Sequence, residues 1–562
     1  MPLIHQLTPP SATPGGSSFT LQVTGYGFNA QSGVYWNGSP RQTTFVAPGQ
    51  LQATISASDI AMVSTASVTV LTQKPGGGTS NVLYFPVRKP NSTVAFGRTD
   101  IAAQPSIYRT VVADFNNDGS PDIAVAQISS PPAVLILLGR GDGTFDPPLV
   151  SSAKIKPYDL VAGDVNQDGN IDLVVTDGAS GTATLLGDGQ GHFTPFALSQ
   201  DDSLIYGYFF LADFNGDGAL DVFKGGSSDY THATGFFIAL GNGDGSFPQV
   251  LSGYGNLDGD NGYPAVGDFD GDGVLDVGFP DGTQVAYFHG NGDGSFEDPV
   301  YFQVDVPWPP GSDEGAIAVD INHDGKLDIV TNAVSVLLGN GDGSFTPAGG
   351  TSNGLLQSPI FGYADMNGDG YPDISVAIAG TLSATYNDEV QVQLGTADGS
   401  FQQPISFLGN YTPAEGRYNV DVADFNNDGQ LDIVNRNQSL QSTNGERARV
   451  LSIYLQGAAK LNPLALSYGD QKVGTSSQPQ TAKLRNISDD PTTISTVKLE
   501  EIGPADFTQI SHCPKVLPAR TTCSIDVAFS PQQTGIREAT SVVTVDHGSA
   551  ARSLVTGTGT TK

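Results

Sequence analysis

A nine-residue frame with the pattern D-x-N/D-x-D-G-x-x-D is the feature of this chain best suited to do chemistry. Its seven copies open at Asp114, Asp164, Asp213, Asp268, Asp320, Asp365 and Asp424. Each copy places carboxylate or amide oxygens at positions one, three, five and nine, and a glycine at position six, where the backbone must turn sharply. Hard oxygen ligands clustered in this way are typical of calcium sites. Ordinary turns are also rich in Asp, Asn and Gly, but they do not require an aspartate at position nine of every copy.

The frames predict about seven bound calcium ions, held by the side chains at positions one, three, five and nine and by the backbone carbonyl at position seven. The candidate ligands, frame by frame, are Asp114, Asn116, Asp118, Ser120 and Asp122; Asp164, Asn166, Asp168, Asn170 and Asp172; Asp213, Asn215, Asp217, Ala219 and Asp221; Asp268, Asp270, Asp272, Val274 and Asp276; Asp320, Asn322, Asp324, Lys326 and Asp328; Asp365, Asn367, Asp369, Tyr371 and Asp373; Asp424, Asn426, Asp428, Gln430 and Asp432.

The frames are not EF-hands. An EF-hand loop closes with Glu at position twelve, and none of the seven frames has Glu there; the residues are Val125, Val175, Lys224, Phe279, Thr331, Val376 and Asn435. An apolar, β-branched run follows the ninth position, so each frame is predicted to join two strands. The fifth copy has His323 at position four, and we expect its side chain to point away from the metal.

The spacing of the frames predicts one four-stranded sheet per repeat. Successive frames begin 45 to 59 residues apart, which is the period of a propeller blade. A third apolar strand leads into a glycine-rich turn, whose aspartates we interpret as hairpin residues that tolerate positive φ, and then into a phenylalanine that begins the fourth strand. These aspartates are Asp142, Asp244, Asp293, Asp342 and Asp398, and the phenylalanines are Phe145, Phe193, Phe247, Phe296, Phe345 and Phe401.

The seventh repeat lacks this turn and its fourth strand. A strand near 94–102, upstream of the first repeat, is predicted to complete the last sheet and thereby to remove an exposed edge. The predicted fold is all-β: a seven-bladed β-propeller over residues 89–457, flanked by two immunoglobulin-like β-sandwiches over residues 1–88 and 458–562.

The frames and their repeat resemble the FG-GAP and VCBS repeat family, whose calcium-loop propellers are related to the head of integrin α subunits and are common in secreted bacterial proteins. The resemblance covers about 370 residues and implies both the propeller and the calcium ligands named above. It says little about function, because the family includes adhesion proteins, lectin-like modules and domains attached to polysaccharide-degrading enzymes.

Each flanking region resembles a family of small β-sandwiches. Gly25-Tyr26-Gly27-Phe28 and Val34-Tyr35-Trp36-Asn37-Gly38 resemble the IPT/TIG family, for which a spacer role is favoured here. Cys513, Cys523, Phe529-Ser530-Pro531 and Gly535 resemble Hydin-type or choice-of-anchor domains of bacterial surface proteins, which implies surface display or a link in an extracellular assembly. The two cysteines either form a disulfide or are buried free thiols.

Charge and compartment limit the partners. Lys and Arg total 25 against 58 Asp and Glu, for a formal charge of −33, so nucleic acid and anionic lipid surfaces would repel the protein. No apolar run approaches membrane-spanning length, and direct membrane insertion is not expected. Calcium loops of the extracellular type bind at about 10⁻⁴ to 10⁻³ M. We therefore expect a secreted or cell-surface protein whose signal peptide lies outside this sequence.

Aromatic residues supply the candidate ligand contacts. Tyrosines recur five to six residues before the frames, and Trp308 stands beside two prolines in a longer insertion; the candidates are Tyr108, Tyr158, Tyr208, Tyr263, Tyr418 and Trp308. They are expected on the face opposite the calcium loops, where aromatic rings suit sugars or peptide side chains, although tyrosines at strand entries are also ordinary packing residues.

Three classes of function remain. The favoured one is a recognition or adhesion protein that binds a glycan or an extracellular protein, because the longer insertions gather on one predicted face. These insertions are residues 229–232, 308–310, 386–389 and 437–449. The second is a structural subunit of an extracellular array or filament, with self-association through the flanking domains. The third, a polysaccharide-active enzyme, lacks support, because the sequence has no zinc motif, no G-x-S-x-G elbow and no histidines at ligand spacing. No catalytic residue and no cofactor other than calcium is predicted.

Overall fold

The computed structural model describes most of the chain as β-strands. The residues that it describes are 2–73, 77–90, 93–101, 107–128, 130–177, 181–199, 205–227, 234–257, 262–281, 283–305, 314–331, 335–348, 362–378, 389–408, 420–438, 449–457, 459–463, 465–488, 491–501, 505–545 and 550–561. Over these residues there is no helix, and therefore none long and apolar enough to cross a membrane.

The first ninety residues form two facing sheets, here called the N-terminal sheet pair. One sheet has the order β1-β2-β6-β5, and the other has the order β4-β3-β7-β8 with β9 also paired to β7. Alternating apolar residues face inwards, and Trp36 and Phe85 pack at the centre with ring centroids 5.1 Å apart. The strands are β1 (Leu3–Thr8), β2 (Phe19–Tyr26), β3 (Gly33–Trp36), β4 (Ser39–Pro40), β5 (Thr43–Ala47), β6 (Gln50–Ile55), β7 (Ser64–Thr72), β8 (Gly78–Thr79) and β9 (Leu83–Val87).

Seven antiparallel sheets follow among the described residues, and six of them use four consecutive strands. Sheet 1 contains β11 (Ile107–Ala113), β12 (Asp122–Gln127), β13 (Ala133–Leu137) and β14 (Leu149–Ser152); sheet 2 contains β15 (Asp159–Gly163), β16 (Asp172–Thr176), β17 (Thr182–Gly187) and β18 (Phe193–Ser199); sheet 3 contains β19 (Ile205–Ala212), β20 (Asp221–Ser227), β21 (Thr234–Leu240) and β22 (Gln249–Leu257).

Sheets 4 to 6 repeat the same order. Sheet 4 contains β24 (Ala265–Gly267), β25 (Asp276–Asp281), β26 (Gln284–Phe288) and β27 (Val300–Gln303); sheet 5 contains β28 (Glu314–Val319), β29 (Asp328–Thr331), β30 (Val336–Gly339) and β31 (Phe345–Pro347); sheet 6 contains β32 (Gly362–Ala364), β33 (Asp373–Ile378), β34 (Glu389–Gln393) and β35 (Ile405–Leu408). The short strand β23 (Gly262–Tyr263) precedes sheet 4 and pairs in parallel with β28 of sheet 5.

Sheet 7 is assembled from both ends of the repeat region. Its own strands are β36 (Val420–Ala423), β37 (Asp432–Gln438) and β38 (Arg449–Gln456), and β10 (Phe96–Ile101) pairs antiparallel with β38. Phe96 lies opposite Gln456, and Ile101 lies opposite Leu451. The fourth strand of sheet 7 is thus supplied by residues that precede sheet 1.

Neighbouring sheets pack on one another through their first strands and their apolar faces. Contacts join β11 to β15, β15 to β19, β24 to β28, β32 to β36, and β36 back to β11, and sheets 3 and 4 share a buried cluster that includes Phe223 and Phe279. Sheets 5 and 6 share a buried cluster that includes Ile321, Val330, Ile374 and Phe401. The contacts between neighbouring sheets therefore form a series that runs from sheet 1 to sheet 7 and back to sheet 1.

The last hundred residues form a second pair of facing sheets, the C-terminal sheet pair, with the orders β39-β41-β45-β43 and β40-β47-β46-β42-β44. Its β47 packs on β10, where a Cβ on Gly97 would lie 1.8 Å from the Ala550 carbonyl oxygen, so this approach requires glycine. The strands are β39 (Ala459–Asn462), β40 (Ala465–Lys472), β41 (Gln480–Asn486), β42 (Thr492–Glu501), β43 (Phe507–Ser511), β44 (Val516–Leu517), β45 (Thr522–Phe529), β46 (Gly535–Val545) and β47 (Ala550–Thr560). Cys513 and Cys523 form a disulfide in this region.

Candidate metal centres and axial cluster

Each of the seven frames lies between the first and second strands of one sheet. In sheet 2, for example, β15 ends at Gly163, the frame opens at Asp164, and β16 begins at the ninth-position Asp172. The same placement recurs in all seven sheets, with the ninth aspartate as the first residue of the second strand. The frames therefore occupy one end of the sheets, at the end of every first strand.

The frame backbone contains two left-handed residues. Glycine at position six has positive φ in every frame, from 81° at Gly429 to 100° at Gly370. Position four also has positive φ in every frame, although it holds Asn117, Gln167, Gly216, Gly271, His323, Gly368 and Asn427. The requirement at position four was not predicted from the pattern; the signal available for it was the recurrence of Gly and Asn, the residues that adopt this conformation most easily.

Side chains and backbone amides close the frame into a compact loop, as the second copy illustrates. The Asp164 carboxylate accepts hydrogen bonds from the backbone N–H groups of Asp168 at 3.0 Å and of Gly169 at 2.9 Å. Asn166 Nδ2 donates to Asp168 Oδ2 at 2.9 Å, and the Asn170 N–H donates to Asp168 Oδ1 at 2.8 Å. The polar groups at positions one, three and five thus converge on one small volume.

The ninth aspartate anchors the frame to the sheet. All seven ninth-position side chains are fully buried. Asp172 Oδ2 accepts the Val165 N–H at 3.0 Å, and Asp172 Oδ1 accepts the Gly187 N–H at 2.8 Å, which ties the frame to the turn after the third strand. The corresponding pairs of donors occur in the other six frames.

Burial disfavours the ionised form of these carboxylates. Burial, with smaller contributions from the neighbouring frame carboxylates, raises the pKa of Asp122, Asp172, Asp221 and Asp328 to about 7 despite their backbone donors. The pKa of Asp276 rises to about 6, and those of Asp373 and Asp432 rise well above their usual range. A cation in the frame would remove this cost, and an oxygen-only donor set suits a hard divalent ion.

In sheets 1 to 6, the turn that leads into the fourth strand contacts the frame of a neighbouring sheet. Phe193 of sheet 2 packs edge-on against Phe115 of the first frame at 5.5 Å, and the Gly191 N–H donates to the Phe115 carbonyl at 3.1 Å. Across the two ends of the repeat region, Phe145 packs on Phe425 at 5.7 Å, and the Gly143 N–H donates to the Phe425 carbonyl at 2.8 Å. The frames therefore also help to hold neighbouring sheets together.

The aspartates of these turns differ from our expectation. Positive φ belongs to the glycines on either side, such as Gly141 and Gly143 around Asp142, and not to the aspartate itself. Asp142 instead accepts a hydrogen bond from the Thr144 N–H at 2.9 Å, which is the Asx-turn geometry.

The N-terminal sheet pair lies against the frame end of the sheets. Gln6 Nε2 is 3.0 Å from His323 Nδ1 in the fifth frame, and Ser11 Oγ donates to the Gly368 carbonyl in the sixth at 3.4 Å. Arg88 is buried there, and its guanidinium donates to the Asp365 and Met366 carbonyls. His323 therefore contacts the N-terminal sheet pair through Gln6, and its direction relative to a bound metal stays a prediction.

A cluster of tyrosines and charged residues, here called the axial cluster, lies at the opposite end of the first strands. Tyr108 and Tyr158 pack edge-on at 5.1 Å, the Tyr263 hydroxyl donates to Asp159 Oδ2 at 2.8 Å, and Arg109 lies over the Tyr263 ring at 5.2 Å. Arg109 Nε is also 3.2 Å from Asp159 Oδ1. Three of the six aromatic candidates thus meet, although they come from three different sheets.

The charged members of the axial cluster were missed by the sequence reasoning. Arg436 completes it by lying 5.3 Å from the Tyr108 ring centroid and donating to the Ile107 carbonyl at 3.1 Å. Arg109 and Asp159 each directly follow a candidate tyrosine in the sequence, and that adjacency was the available signal. The Tyr208 side chain, Trp308 and Tyr418 lie outside the described residues, as do the insertions at 229–232, 308–310 and 386–388 and most of 437–449.

Comparison with known proteins finds a repeat family. The profile of the FG-GAP-like repeat matches four segments, residues 114–175, 164–224, 213–279 and 365–434, which together include six of the seven frames. These matches support a propeller repeat family. No curated protein matched the chain.

Solved structures with a similar arrangement have low identity to this chain. A lectin from Agrocybe aegerita, described as recognising non-reducing terminal N-acetylglucosamine, is 20% identical with a TM-score of 0.40, covering 61% of this chain and 90% of its own. A rhamnogalacturonan lyase from Bacillus licheniformis is 14% identical with a TM-score of 0.34, covering 80% and 89%. An auxiliary nutrient binding protein from Bacteroides ovatus is 11% identical with a TM-score of 0.25, covering 81% and 98%. These likenesses carry no inference about ligand or activity.

Proposed function

We propose that this chain is a calcium-stabilised extracellular recognition protein: a seven-bladed β-propeller that binds a glycan or a protein through the face opposite its calcium frames. The seven sheets would be the blades, sheet 7 would be closed by β10, and each frame would hold one ion. The two flanking sheet pairs would be immunoglobulin-like sandwiches, and the protein would act outside the cell or on its surface. The proposal assigns no catalytic residue.

Ring closure is supported by the pairing of β10 with β38 and by the contact between sheets 7 and 1. The turn of sheet 1 meets the seventh frame through Phe145 and Phe425 in the same way that the turn of sheet 2 meets the first frame through Phe193 and Phe115. In an open array the seventh frame would also have no following turn, as is already the case for the sixth frame because sheet 7 lacks this turn. A closed ring of seven fits the observed contacts.

Calcium is supported by the buried carboxylates of the frames. Seven ninth-position aspartates, each within a cluster of further oxygen donors, would be stabilised as anions by a divalent ion. The residues that would hold it are the frame ligands named from the sequence, and the ion would supply charge neutralisation and cross-linking within each loop.

The choice of binding face rests on one observation: over the residues that the structure describes, the two ends of the sheets are covered unequally. The N-terminal sheet pair packs on the frame end, through Gln6, Ser11 and Arg88. The long connections between Ser227 and Thr234, Gln303 and Glu314, Ile378 and Glu389, and Gln438 and Arg449 join second to third strands or successive sheets. Such connections leave the sheets at the end where the axial cluster lies, and variable connections on a rigid scaffold commonly carry recognition.

A binding experiment tests this choice of face. The whole chain, loaded with calcium, would be screened against a glycan array and an array of extracellular proteins, and each hit would be titrated with the variants Tyr108→Ala, Tyr158→Ala, Arg109→Ala and Trp308→Ala. Tyr301→Ala is the matched control, because Tyr301 is an exposed tyrosine on the fourth strand of sheet 4. We expect these four variants to weaken binding at least tenfold and the control to bind normally. Equal binding by all variants would contradict the proposed face.

The alternative function, a subunit of an extracellular array, predicts a different result. The chain would then assemble reversibly at high concentration in calcium, as measured by light scattering, and would give no array hit that depends on the axial cluster. A monomer in calcium would exclude self-assembly as the primary role.

A further inference from the structure

The fourth frame differs from the other six at two sites. Position three is Asp270, whereas the other frames have Asn116, Asn166, Asn215, Asn322, Asn367 and Asn426. The residue directly before Gly290, near the end of the third strand, is His289, whereas leucine occupies the matching place in the other repeats, at Leu138, Leu186, Leu240, Leu338, Leu394 and Leu455. The fourth repeat therefore has a carboxylate and an imidazole at the two places where the other repeats have asparagine and leucine.

The structure brings these two residues together. His289 Nδ1 lies 3.1 Å from Asp270 Oδ2 and 3.3 Å from Asp276 Oδ1, and His289 Nε2 lies 3.8 Å from Asp272 Oδ2. Ligand atoms of Asp270, Asp276 and His289 all lie within 4.8 Å of one another, and so do those of Asp268, Asp270 and Asp272. The imidazole thus replaces an apolar leucine side chain with a nitrogen donor directed at the frame.

We propose that the fourth frame is a mixed nitrogen and oxygen site that selects zinc, or a similar imidazole-binding divalent transition ion, over calcium. Its ligands would be His289, Asp270 and Asp276, with Asp272 or Asp268 completing the set. Imidazole suits zinc, whereas calcium takes oxygen donors. Two atoms that are each about 2.1 Å from a shared tetrahedral zinc lie about 3.4 Å apart, close to the separations of His289 Nδ1 from its two nearest carboxylates.

Neighbouring groups already orient the proposed ligands. Asp276 Oδ2 accepts the Tyr287 hydroxyl at 2.9 Å and the Phe269 N–H at 3.0 Å, and Asp276 Oδ1 accepts the Gly290 N–H at 2.9 Å. Hydrogen bonds of this kind hold metal ligands in position and raise metal affinity. The His289 side chain is 29% exposed, which leaves a path for an ion to enter from solvent.

The test is competitive metal binding by the whole chain. Metal-free protein would be returned to 5 mM calcium and titrated with zinc chloride by calorimetry, and separately with cobalt chloride, whose visible absorption reports a nitrogen and oxygen environment of low coordination number. The variants His289→Leu and Asp270→Asn restore the residues of the other six repeats and are therefore expected to fold, which thermal unfolding in calcium would verify. His323→Asn is the matched control, because it removes a histidine from a different frame and places there the residue found at position four of the first and seventh frames.

We expect about one zinc ion per wild-type chain at 5 mM calcium, affinity at least tenfold lower in His289→Leu and in Asp270→Asn, and unchanged affinity in His323→Asn. The cobalt absorption band should disappear in His289→Leu and remain in His323→Asn. Equal zinc binding by wild type and His289→Leu would overturn the proposal and leave His289 as a hydrogen-bonding neighbour of the frame. The readout does not depend on glycan or protein recognition, so failure of the proposed function would leave this result unaffected.

Discussion

Replacing Asp172 by asparagine separates the metal-binding role of the ninth aspartate from its structural role. Asp172 is fully buried, and its two oxygens accept the Val165 and Gly187 N–H groups. If calcium binds the second frame, the variant Asp172→Asn loses the stabilisation that comes from that ion. If the carboxylate is only a hydrogen-bond acceptor, the variant is destabilised equally with and without calcium.

The expected size follows from two opposing effects. A site with a dissociation constant of about 10⁻⁴ to 10⁻³ M at 10 mM calcium stabilises the fold by about 1.4 to 2.7 kcal/mol, and the variant should lose this. In chelator at pH 8, asparagine loses one hydrogen bond to a charged acceptor, worth about 1.5 to 3 kcal/mol. It also relieves the cost of burying an anion whose pKa is raised to about 7, at most about 4 kcal/mol. These two effects oppose each other in chelator, so the variant should be destabilised less there than in calcium.

The assay is urea unfolding of wild type and Asp172→Asn in 10 mM calcium and in chelator, both at pH 8. Asp188→Asn is the matched control, since Asp188 is an exposed turn aspartate of the same repeat. Its side chain accepts a hydrogen bond from the Gln190 N–H, and an asparagine can still accept this bond. We expect a calcium-dependent loss for Asp172→Asn and none for Asp188→Asn. Equal destabilisation of Asp172→Asn in both buffers would refute the metal-binding role.

Two further predictions concern pH and the N-terminal sheet pair. Burial raises the pKa of the ninth aspartates, so the metal-free fold binds more protons than the unfolded chain, and its stability should fall as pH rises from about 4 to about 7. Stabilisation by calcium, which requires ionised carboxylates, should grow over the same pH range. Urea unfolding of metal-free and calcium-loaded protein at pH 5 and pH 8 measures both trends in stability. A metal-free fold that becomes more stable toward pH 8 would contradict the account. Arg88→Met removes a buried cation beside the sixth frame and should destabilise the fold by about 3 kcal/mol, and by more in chelator than in calcium, as measured by thermal unfolding. Arg140→Met, which breaks the exposed ion pair with Asp146, should change stability by less than about 1 kcal/mol, and equal effects of the two variants would exclude a role for Arg88 in docking.

Local features of the repeat could be predicted from the sequence, because each depends on residues close together in the chain. The ninth aspartate begins a second strand since an apolar run follows it, and the glycine at position six turns because it can adopt positive φ. Even the pairing of β10 with β38 could be predicted, since the seventh repeat lacked a strand and an unpartnered segment preceded the first repeat.

Contacts between distant parts of the chain could not be predicted. Gln6 contacts His323, which is 317 residues away in the sequence, and Arg88 contacts Asp365, which is 277 residues away. No periodic pattern in the sequence therefore predicts that the N-terminal sheet pair covers the frame end. The axial cluster was found only in part for the same reason. Tyr108 and Tyr158 shared a position relative to the frames, whereas Arg436 comes from a second strand of sheet 7 and carries no such regularity.

Metal content measured together with thermal unfolding tests the central claim most directly. Protein purified in calcium, and the same protein after chelation, would be examined by elemental analysis and by calorimetric unfolding of the whole chain. The account predicts about seven divalent ions per chain, mostly calcium, and a large fall in the unfolding temperature when they are removed. Little bound metal together with an unchanged unfolding temperature would contradict it, and would leave the frames as hydrogen-bonded turns.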